Sequence, residues 1–400
     1  MILLISEFLQ SIGWKVPAAF SYSSTRMILA AATALLMSIF MGSWFIRKLY
    51  SLKVGQTVRS EEFGLIGKLH EKKQDTPTMG GILILFSMLV CLVLWMDLRH
   101  PFTLILALTT LILGFAGGYD DYLKIKHKDV KGLSGKRKLL VQLIVTALVA
   151  CYLYLPSIAE QMHSGTWFEP PVVKEHVPQT DALEEISLQE YASLLYVPFI
   201  KDPIIQFSGW FVLFGIGLIF LVIAGTSNAV NLTDGLDGLA AGCLLLVASA
   251  LAVFAFVSNH AEVARYLNIL YIEGSAEVGV YLCAFAGACL GFLWFNGFPA
   301  QVFMGDIGSL ALGGILGVSA VLLKRELLLA LIGGIFVIEA VSVILQVGSY
   351  KLRNKRRIFL CAPIHHHFEY KGWPETKVVL RFWIIGLLLA LIGVASLKFQ

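Results

Sequence analysis

Residues 239–257, LAAGCLLLVASALAVFAFV, contain no charged side chain and decide the class of fold. As a helix this stretch rises about 1.5 Å per residue, which nearly matches the roughly 30 Å hydrocarbon core of a bilayer. The whole chain has the same character, since hydrophobic residues make up 57% and charged residues only 14% of its 400 residues. A soluble protein of this length needs more charge to cover its surface, so the composition excludes that class.

Apolar runs long enough to cross a bilayer occur about ten times along the chain. All are expected to be helices, because an isolated strand in lipid would leave its backbone N–H and C=O groups unpaired. The sequence therefore predicts an all-α integral membrane protein that forms a single domain over residues 1–400. The expected spans are 25–46, 77–96, 101–118, 139–155, 207–226, 239–257, 278–295, 307–323, 327–349 and 378–397.

The loops between these spans differ in charge, and the difference predicts their side of the membrane. Lysine and arginine collect after the first, third and ninth spans, which is typical of cytoplasmic loops. The segment 156–206 between the fourth and fifth spans is acidic, and we expect it to be a solvated periplasmic loop. Counting spans from the basic loops then places both termini in the periplasm. The polar residues considered below all lie on the expected cytoplasmic side.

Two adjacent carboxylates, Asp120 and Asp121, end the third span. A helix C-terminus disfavours an anion by roughly 0.3–1 kcal/mol, and the two charges also repel each other. A bound divalent cation, or a nearby group to deprotonate, would justify the pair. A solvated helix end is the plainer interpretation.

A second polar run follows the fifth span, where Asn231, Asp234 and Asp237 recur every three residues. A helical turn there would cluster the three side chains. Amide and carboxylate groups beside glycines suit hydrogen bonds to a base, a ribose or a metal-bound phosphate. A turn that only caps the next helix is the structural alternative.

Asn296 and the segment 303–309 precede the eighth span. Asp306 in this segment either caps the helix that follows or is a metal ligand. Phe303 is available to stack on a nucleobase.

Three consecutive histidines, His365, His366 and His367, lie in the last basic loop. Neighbouring imidazoles are poorly placed to ligate one zinc ion, so phosphate binding or acid–base chemistry is the preferred interpretation. Glu339 and Gln346 lie within the ninth span, where we expect them to contact other helices. The sequence has no glycine-rich nucleotide fingerprint, so a nucleotide needs a different kind of site, and no nucleic-acid partner is expected.

Five motifs stand in one order along the chain. They are KQDTPTMGG at 73–81, DDYLK at 120–124, NAVNLTDGLDGL at 228–239, FMGDIGS at 303–309 and PIHHHFE at 363–369. With these motifs the chain resembles the phospho-N-acetylmuramoyl-pentapeptide-transferase family over about residues 25–397. The segment 156–206 is longer than that resemblance leads us to expect.

The resemblance implies ten helices, a cytoplasmic-face active site and a place in the bacterial inner membrane. It implies that phospho-MurNAc-pentapeptide moves from UDP-MurNAc-pentapeptide to undecaprenyl phosphate, which gives lipid I and UMP with the help of Mg²⁺. It also suggests a homodimer. A sister enzyme that loads N-acetylglucosamine-1-phosphate onto polyprenyl phosphate is the nearest alternative. A transporter is a more distant one, and it would show charges at mid-membrane and inverted-repeat halves.

On this resemblance we predict that Asp306 and Asp121 bind Mg²⁺ and that Asp120 deprotonates or orients the lipid phosphate. His365 is a further catalytic candidate. Direct attack by the lipid phosphate and double displacement through an aspartyl-phosphate both stay open. The predicted substrate-binding residues are Lys73, Lys124, Lys136, Asn231, Asp234, Asp237, Asn296, Phe303, His366 and His367.

Overall fold

The computed structural model describes residues 1–52, 76–127, 132–177 and 182–398. Its helices are α1 Ile2–Ser11, α2 Ser23–Ser51, α3 Gly81–Trp95, α4 Pro101–His127, α5 Gly135–Tyr154, α6 Pro156–Met162, α7 Leu188–Ser193, α8 Val212–Thr233, α9 Leu239–Ser258, α10 Ala261–Leu267, α11 Ser275–Asn296, α12 Gly305–Leu322, α13 Glu326–Ile332, α14 Gly334–Leu352, α15 Ile364–Tyr370 and α16 Glu375–Ala395. Its short strands are β1 Val173–Val177, β2 Ala182–Ile186, β3 Leu194–Leu195, β4 Ile205–Gln206 and β5 Tyr271–Ile272.

Among the described residues, nine helices are long and apolar enough to cross a membrane: α2, α4, α5, α8, α9, α11, α12, α14 and α16. The shorter apolar helix α3 has 15 residues and occupies the second expected span. The prediction of an all-α integral membrane protein is therefore confirmed. The side of the membrane on which the termini lie stays a prediction.

Two of the expected spans differ most from the observed helices, and the fifth, 207–226, is displaced to Val212–Thr233. The third, 101–118, continues as α4 to His127. Lys124 pairs with Asp120 in the added turns, so the carboxylate charge is neutralised within the helix. The ninth, 327–349, is divided at Gly333 into α13 and α14. Adjacent glycines at 333 and 334 have low helix propensity, which explains the break.

Glycines let several helix backbones touch. In lipid no hydrophobic force draws helices together, so close contacts between small residues carry much of the packing. α11 packs against α2 and α9, while α12 packs against α4 and α8. A Cβ atom at Gly287 of α11 would overlap the carbonyl oxygen of Ala31 of α2. One at Gly313 of α12 would lie 2.6 Å from the carbonyl oxygen of Thr226 of α8.

The described part of segment 156–206 is folded, which differs from the solvated loop that we expected. β1 pairs antiparallel with both β2 and β5, and β3 pairs with β4. Tyr191 of α7 is fully buried, and its hydroxyl donates a hydrogen bond to the carbonyl oxygen of Leu322. Apolar side chains in this acidic segment therefore pack onto the ends of the membrane helices.

Both chain ends lie at the same end of the bundle as segment 156–206, and we call this the distal end. Glu7 of α1 pairs with Arg99, just before α4, at 2.8 Å. Lys398 donates to the hydroxyl of Tyr266 in α10 at 2.9 Å, close to where β5 joins β1. Asp120 lies about 30 Å further along α4 from its first residue, so the opposite end carries the predicted chemistry.

Candidate functional site

Three carboxylates and two lysines meet at the end of the bundle opposite the distal end. Lys124 Nζ lies 2.7 Å from Asp120 Oδ2 and 2.9 Å from Asp306 Oδ1. Lys138 Nζ lies 2.5 Å from Asp306 Oδ2 and 3.2 Å from Asp120 Oδ2. Asp120 and Asp121 are buried, and Asp306 is mostly so. We call Asp120, Asp121 and Asp306 the carboxylate cluster.

Asp121 ties α4 to the start of α12. One turn earlier, a Cβ atom at Gly117 would overlap the backbone of Asp306, so the two helices touch there. The Asp121 carboxylate accepts hydrogen bonds from the backbone N–H groups of Asp306 and Ile307, each at 3.1 Å. These are N–H groups that a helix start leaves without an intrahelical partner. Asp121 therefore caps α12, and the Asp306 carboxylate is left to face the lysines.

The described part of the first motif, residues 76–81, holds the segment that leads to Asp306. Phe303 N–H donates to the carbonyl oxygen of Pro77, and Gly80 N–H donates to that of Phe303, both at 2.8 Å. Gly305 has a φ of 75°, and a Cβ atom there would lie 2.5 Å from Asp121 Oδ2. Both the backbone angle and the close approach require glycine. Lys73 of this motif lies outside the described residues.

Lys138 is a site residue that the sequence analysis missed in favour of Lys136. Lys136 is exposed, two residues before Lys138 on α5. The available signal was a spacing of four residues between Lys138, Gln142 and Thr146, which places three polar side chains on one face of an otherwise apolar helix. Gln142 on this face donates to Ser227 Oγ of α8 at 2.9 Å.

The run 228–239 continues α8 to Thr233 and then forms a turn over residues 234–238, and its three polar side chains diverge. α8 ends at Thr233, so the helical turn that would cluster them does not form. Asn231 Nδ2 donates to Ser309 Oγ at 2.9 Å, and Asp237 Oδ2 accepts from the backbone N–H of Ala300 at 3.0 Å. Asn231 and Asp237 therefore brace neighbouring segments of the site.

Asp234 lies beside the carboxylate cluster. Its carboxylate interacts with the backbone N–H of Gly305. Burial raises the pKa of Asp234 to about 7, and the negative charges of Asp306 and Asp121 act in the same direction. Asp234 thus belongs to the same electrostatic unit as the cluster.

Asn296 joins two loops of the site through both ends of its amide. Its Oδ1 accepts from the backbone N–H of Gly238 at 3.1 Å, and its Nδ2 donates to the carbonyl oxygen of Val302 at 2.9 Å. The side chain is buried, so this geometry gives it a bracing role. Phe303 follows that loop and is half-buried. Substrate contact by Asn296 and Phe303 stays a prediction.

The three histidines have three different surroundings. His365 Nδ1 lies 3.1 Å from Glu339 Oε2, and both side chains are fully buried. His366 Nδ1 lies 2.6 Å from Glu369 Oε2. His367 Nδ1 accepts from the backbone N–H of Leu360 at 3.1 Å. Burial and then the charge of Lys371 lower the pKa of His367.

Of the two polar residues predicted to contact other helices, one does so. Glu339 of α14 meets His365 of α15, as expected of a contact between helices. Gln346 instead holds the loop after its own helix. Its Nε2 donates to the carbonyl oxygen of Phe359 at 2.9 Å, and its Oε1 accepts from the N–H groups of Ile358 and Phe359.

Comparison with known proteins places the chain in a family. The model of glycosyl transferase family 4 matches residues 103–324, and phospho-N-acetylmuramoyl-pentapeptide-transferase signature 1 matches residues 73–85. The phospho-N-acetylmuramoyl-pentapeptide-transferase of Protochlamydia amoebophila is 64% identical over 411 residues, which cover 100% of both chains. The chain belongs to the phospho-N-acetylmuramoyl-pentapeptide-transferase family.

Two other members of the family match the chain at lower sequence identity. The protein of that name from Desulfotalea psychrophila is 44% identical over 381 residues, and one from Neisseria gonorrhoeae is 45% identical over 383. Each alignment covers 95% of both chains. The range that matches the family model contains the whole carboxylate cluster, and the signature contains the segment that holds Phe303.

The carboxylate cluster has the donors that a divalent cation needs. Asp120, Asp121 and Asp306 each offer one carboxylate oxygen, and these oxygens lie within 4.8 Å of one another. Asp120 Oδ2 is buried, and its ion-pair partners among the described residues are Lys124 and Lys138. Mg²⁺ prefers oxygen ligands and takes one or two carboxylates together with phosphate oxygens. The residues present therefore fit such an ion.

Proposed function

We propose that this transferase moves phospho-MurNAc-pentapeptide from UDP-MurNAc-pentapeptide to undecaprenyl phosphate, with formation of lipid I and release of UMP. The family to which the chain belongs supports this reaction over transfer of N-acetylglucosamine-1-phosphate. The observation that carries it is the buried cluster in which Lys124 and Lys138 bridge Asp120 and Asp306. Phosphoryl transfer needs charge neutralisation and alignment of the reactants, and this cluster supplies both.

The residues of the cluster divide these tasks. The nucleophile is a phosphate oxygen of the lipid carrier, the electrophile is the β-phosphorus of the nucleotide, and UMP is the leaving group. Asp120 orients the lipid phosphate or accepts its proton. Lys124 and Lys138 exchange their carboxylate partners for pyrophosphate oxygens when the nucleotide binds. Mg²⁺, held by Asp306 and Asp121, would neutralise charge on the pyrophosphate.

The proposal also covers the setting of the reaction. Basic loops at the end that carries the cluster favour the cytoplasmic face of the bacterial inner membrane, where the nucleotide substrate is available. Direct attack by the lipid phosphate is the simpler route, because the nucleophile is already an anion. A homodimer is the assembly that the family resemblance suggests.

UMP release by purified protein in detergent tests the function. We expect release to require UDP-MurNAc-pentapeptide, undecaprenyl phosphate and Mg²⁺ together, and to stop when EDTA removes the ion. Preference for UDP-N-acetylglucosamine would overturn the assignment. Turnover without compartments would exclude a purely transport role. A phosphorylated aspartate trapped with the nucleotide substrate alone would replace direct attack with double displacement.

A further inference from the structure

Glu339 is an ionisable residue within a membrane-spanning helix that the proposed reaction does not use. It lies in α14 and is fully buried. Neither of its carboxylate oxygens accepts a well-formed hydrogen bond from the described residues. Charged side chains within such helices are costly and rare, and they usually mark a functional contact with a specific partner. Its partner is His365, whose Nδ1 lies 3.1 Å away.

The opposite edge of the His365 ring meets the 234–238 turn. A Cβ atom at Gly235 would overlap His365 Nε2, so the ring lies directly against that backbone. The carboxylate of the preceding residue, Asp234, interacts with Gly305 N–H, and Gly305 is followed by Asp306. A continuous series of contacts therefore runs from Glu339 through His365 and the turn to the carboxylate cluster.

Two other side chains hold the far end of the same turn. Glu375 Oε1 accepts from Asp237 N–H at 2.7 Å, and Asn296 Oδ1 accepts from Gly238 N–H at 3.1 Å. His365 lies against the near end, next to Asp234. The turn is thus supported at both ends. The position of its near end depends on the position of the His365 imidazole.

We propose that Glu339 is a positioning residue, which holds the His365 imidazole against Gly235 and so fixes Asp234 beside the carboxylate cluster. The inference rests on the proposed transferase activity for its kinetic readout. A carboxylate that binds one nitrogen of a histidine fixes the orientation of the ring. Carboxylates behind functional histidines in other proteins have the same effect. Glu339 acts through His365 and the turn, and it does not need to touch a substrate.

Substitutions of Glu339 test this role through the division between kcat and KM. We expect Glu339→Ala to lower kcat for UMP release by about tenfold or more, with a much smaller change in the KM for the nucleotide. Glu339→Gln should retain more activity, because its amide oxygen keeps an acceptor facing Nδ1 of His365. Ser342→Ala is the matched control, since Ser342 is buried on the same helix and its hydroxyl donates to the carbonyl oxygen of Glu339 in that helix. It should leave kcat unchanged.

A double-mutant cycle with His365→Asn separates a shared role from two independent ones. If Glu339 acts through His365, adding Glu339→Gln to His365→Asn should lower kcat no further than His365→Asn alone. Losses that multiply would overturn the proposal, as would wild-type kcat in both Glu339 variants. Thermal unfolding of each variant in detergent reports on folding, and Glu339→Gln keeps the test usable if Glu339→Ala does not fold. A wild-type protein that releases no UMP would instead contradict the proposed function.

Discussion

Lys138 and Lys136 are two positions apart on α5 and have different surroundings. Two residues correspond to about 200° around a helix, so only one of them faces the carboxylate cluster. We predict that Lys138→Ala lowers UMP release by at least about tenfold, because it removes a cation that contacts both Asp120 and Asp306. Lys136→Ala should lower UMP release by a smaller factor, since Lys136 is exposed. Equal losses, measured side by side in detergent, would contradict this assignment.

The three carboxylates of the cluster should all be essential, but for separable reasons. We predict that Asp120→Asn, Asp121→Asn and Asp306→Asn each lower turnover by at least about a hundredfold. Asp121→Asn should also lower the Tm, because an amide nitrogen cannot accept one of the two backbone N–H groups at the start of α12. Asp120→Asn and Asp306→Asn instead remove carboxylate partners of Lys124 and Lys138 and leave both N–H groups at the start of α12 capped. Near-normal turnover would remove a residue from the catalytic set.

Some site residues were predictable from the sequence, and others were not. The acidic pair and Asp306 were predictable, because adjacent carboxylates at a helix end and an acid after a glycine stand out locally. Lys138, which contacts them, was not among the predicted residues, because which lysine of α5 faces the cluster depends on how the helix is rotated in the bundle. The bracing contacts of Asn296 likewise depend on two loops that only tertiary structure brings together.

At the level of helices, contacts between small residues make a direct test of packing. We predict that Gly287→Ala destabilises the protein by about 1–3 kcal/mol, because the new methyl group meets the backbone of Ala31 rather than a flexible side chain. Gly217→Ala on α8 is the control, since a Cβ atom there meets no described atom within 4 Å. It should be neutral or stabilising by up to about 1 kcal/mol. Thermal unfolding in one detergent compares the two, and equal Tm values would refute the packing argument.

Most of the membrane helices were predictable, because each must carry a long apolar run, which a sequence shows directly. Their ends were less so. The continuation of α4 past Gly118 depends on Lys124, which neutralises Asp120 and Asp306. The folded state of segment 156–206 depends on the pairing of β1 with β5, which lie far apart along the chain. An acidic composition alone indicates solvent and says nothing of such a pairing.

At the scale of the whole molecule, buried ion pairs among the described residues occur at both ends of the bundle. The carboxylate cluster lies at one end. At the distal end, Arg26 of α2 pairs with Glu277 of α11 at 2.7 Å, and Glu277 also accepts a hydrogen bond from Asp97 N–H. These contacts join helices that are distant in the chain and lie far from the site. The distal contacts are therefore expected to govern stability, and the cluster to govern turnover.

His100 gives the distal end a defined response to acid. Its Nδ1 accepts a hydrogen bond from Phe102 N–H at 3.2 Å, so the ring is neutral in this arrangement. Burial, and then the charge of Arg26, lower the pKa of His100 to about 4, although Asp97 acts in the opposite direction. The ordinary value is about 6.5, so the unfolded chain takes up a proton first as the pH falls. The stability that the neutral ring contributes is complete above about pH 6.5 and is lost towards pH 4.

We therefore predict that acidification from pH 7.5 to 4.5 destabilises the wild-type protein more than the His100→Gln variant, by about 1–3 kcal/mol. Glutamine of similar length has no proton to gain in this range, so it isolates the histidine from the neighbouring carboxylates, which are the same in both proteins. Thermal unfolding at the two pH values, in one detergent and without substrates, measures the difference. Parallel loss of Tm in the two proteins would contradict the assignment. Because His100 lies at the distal end, kcat should keep its pH profile in the variant.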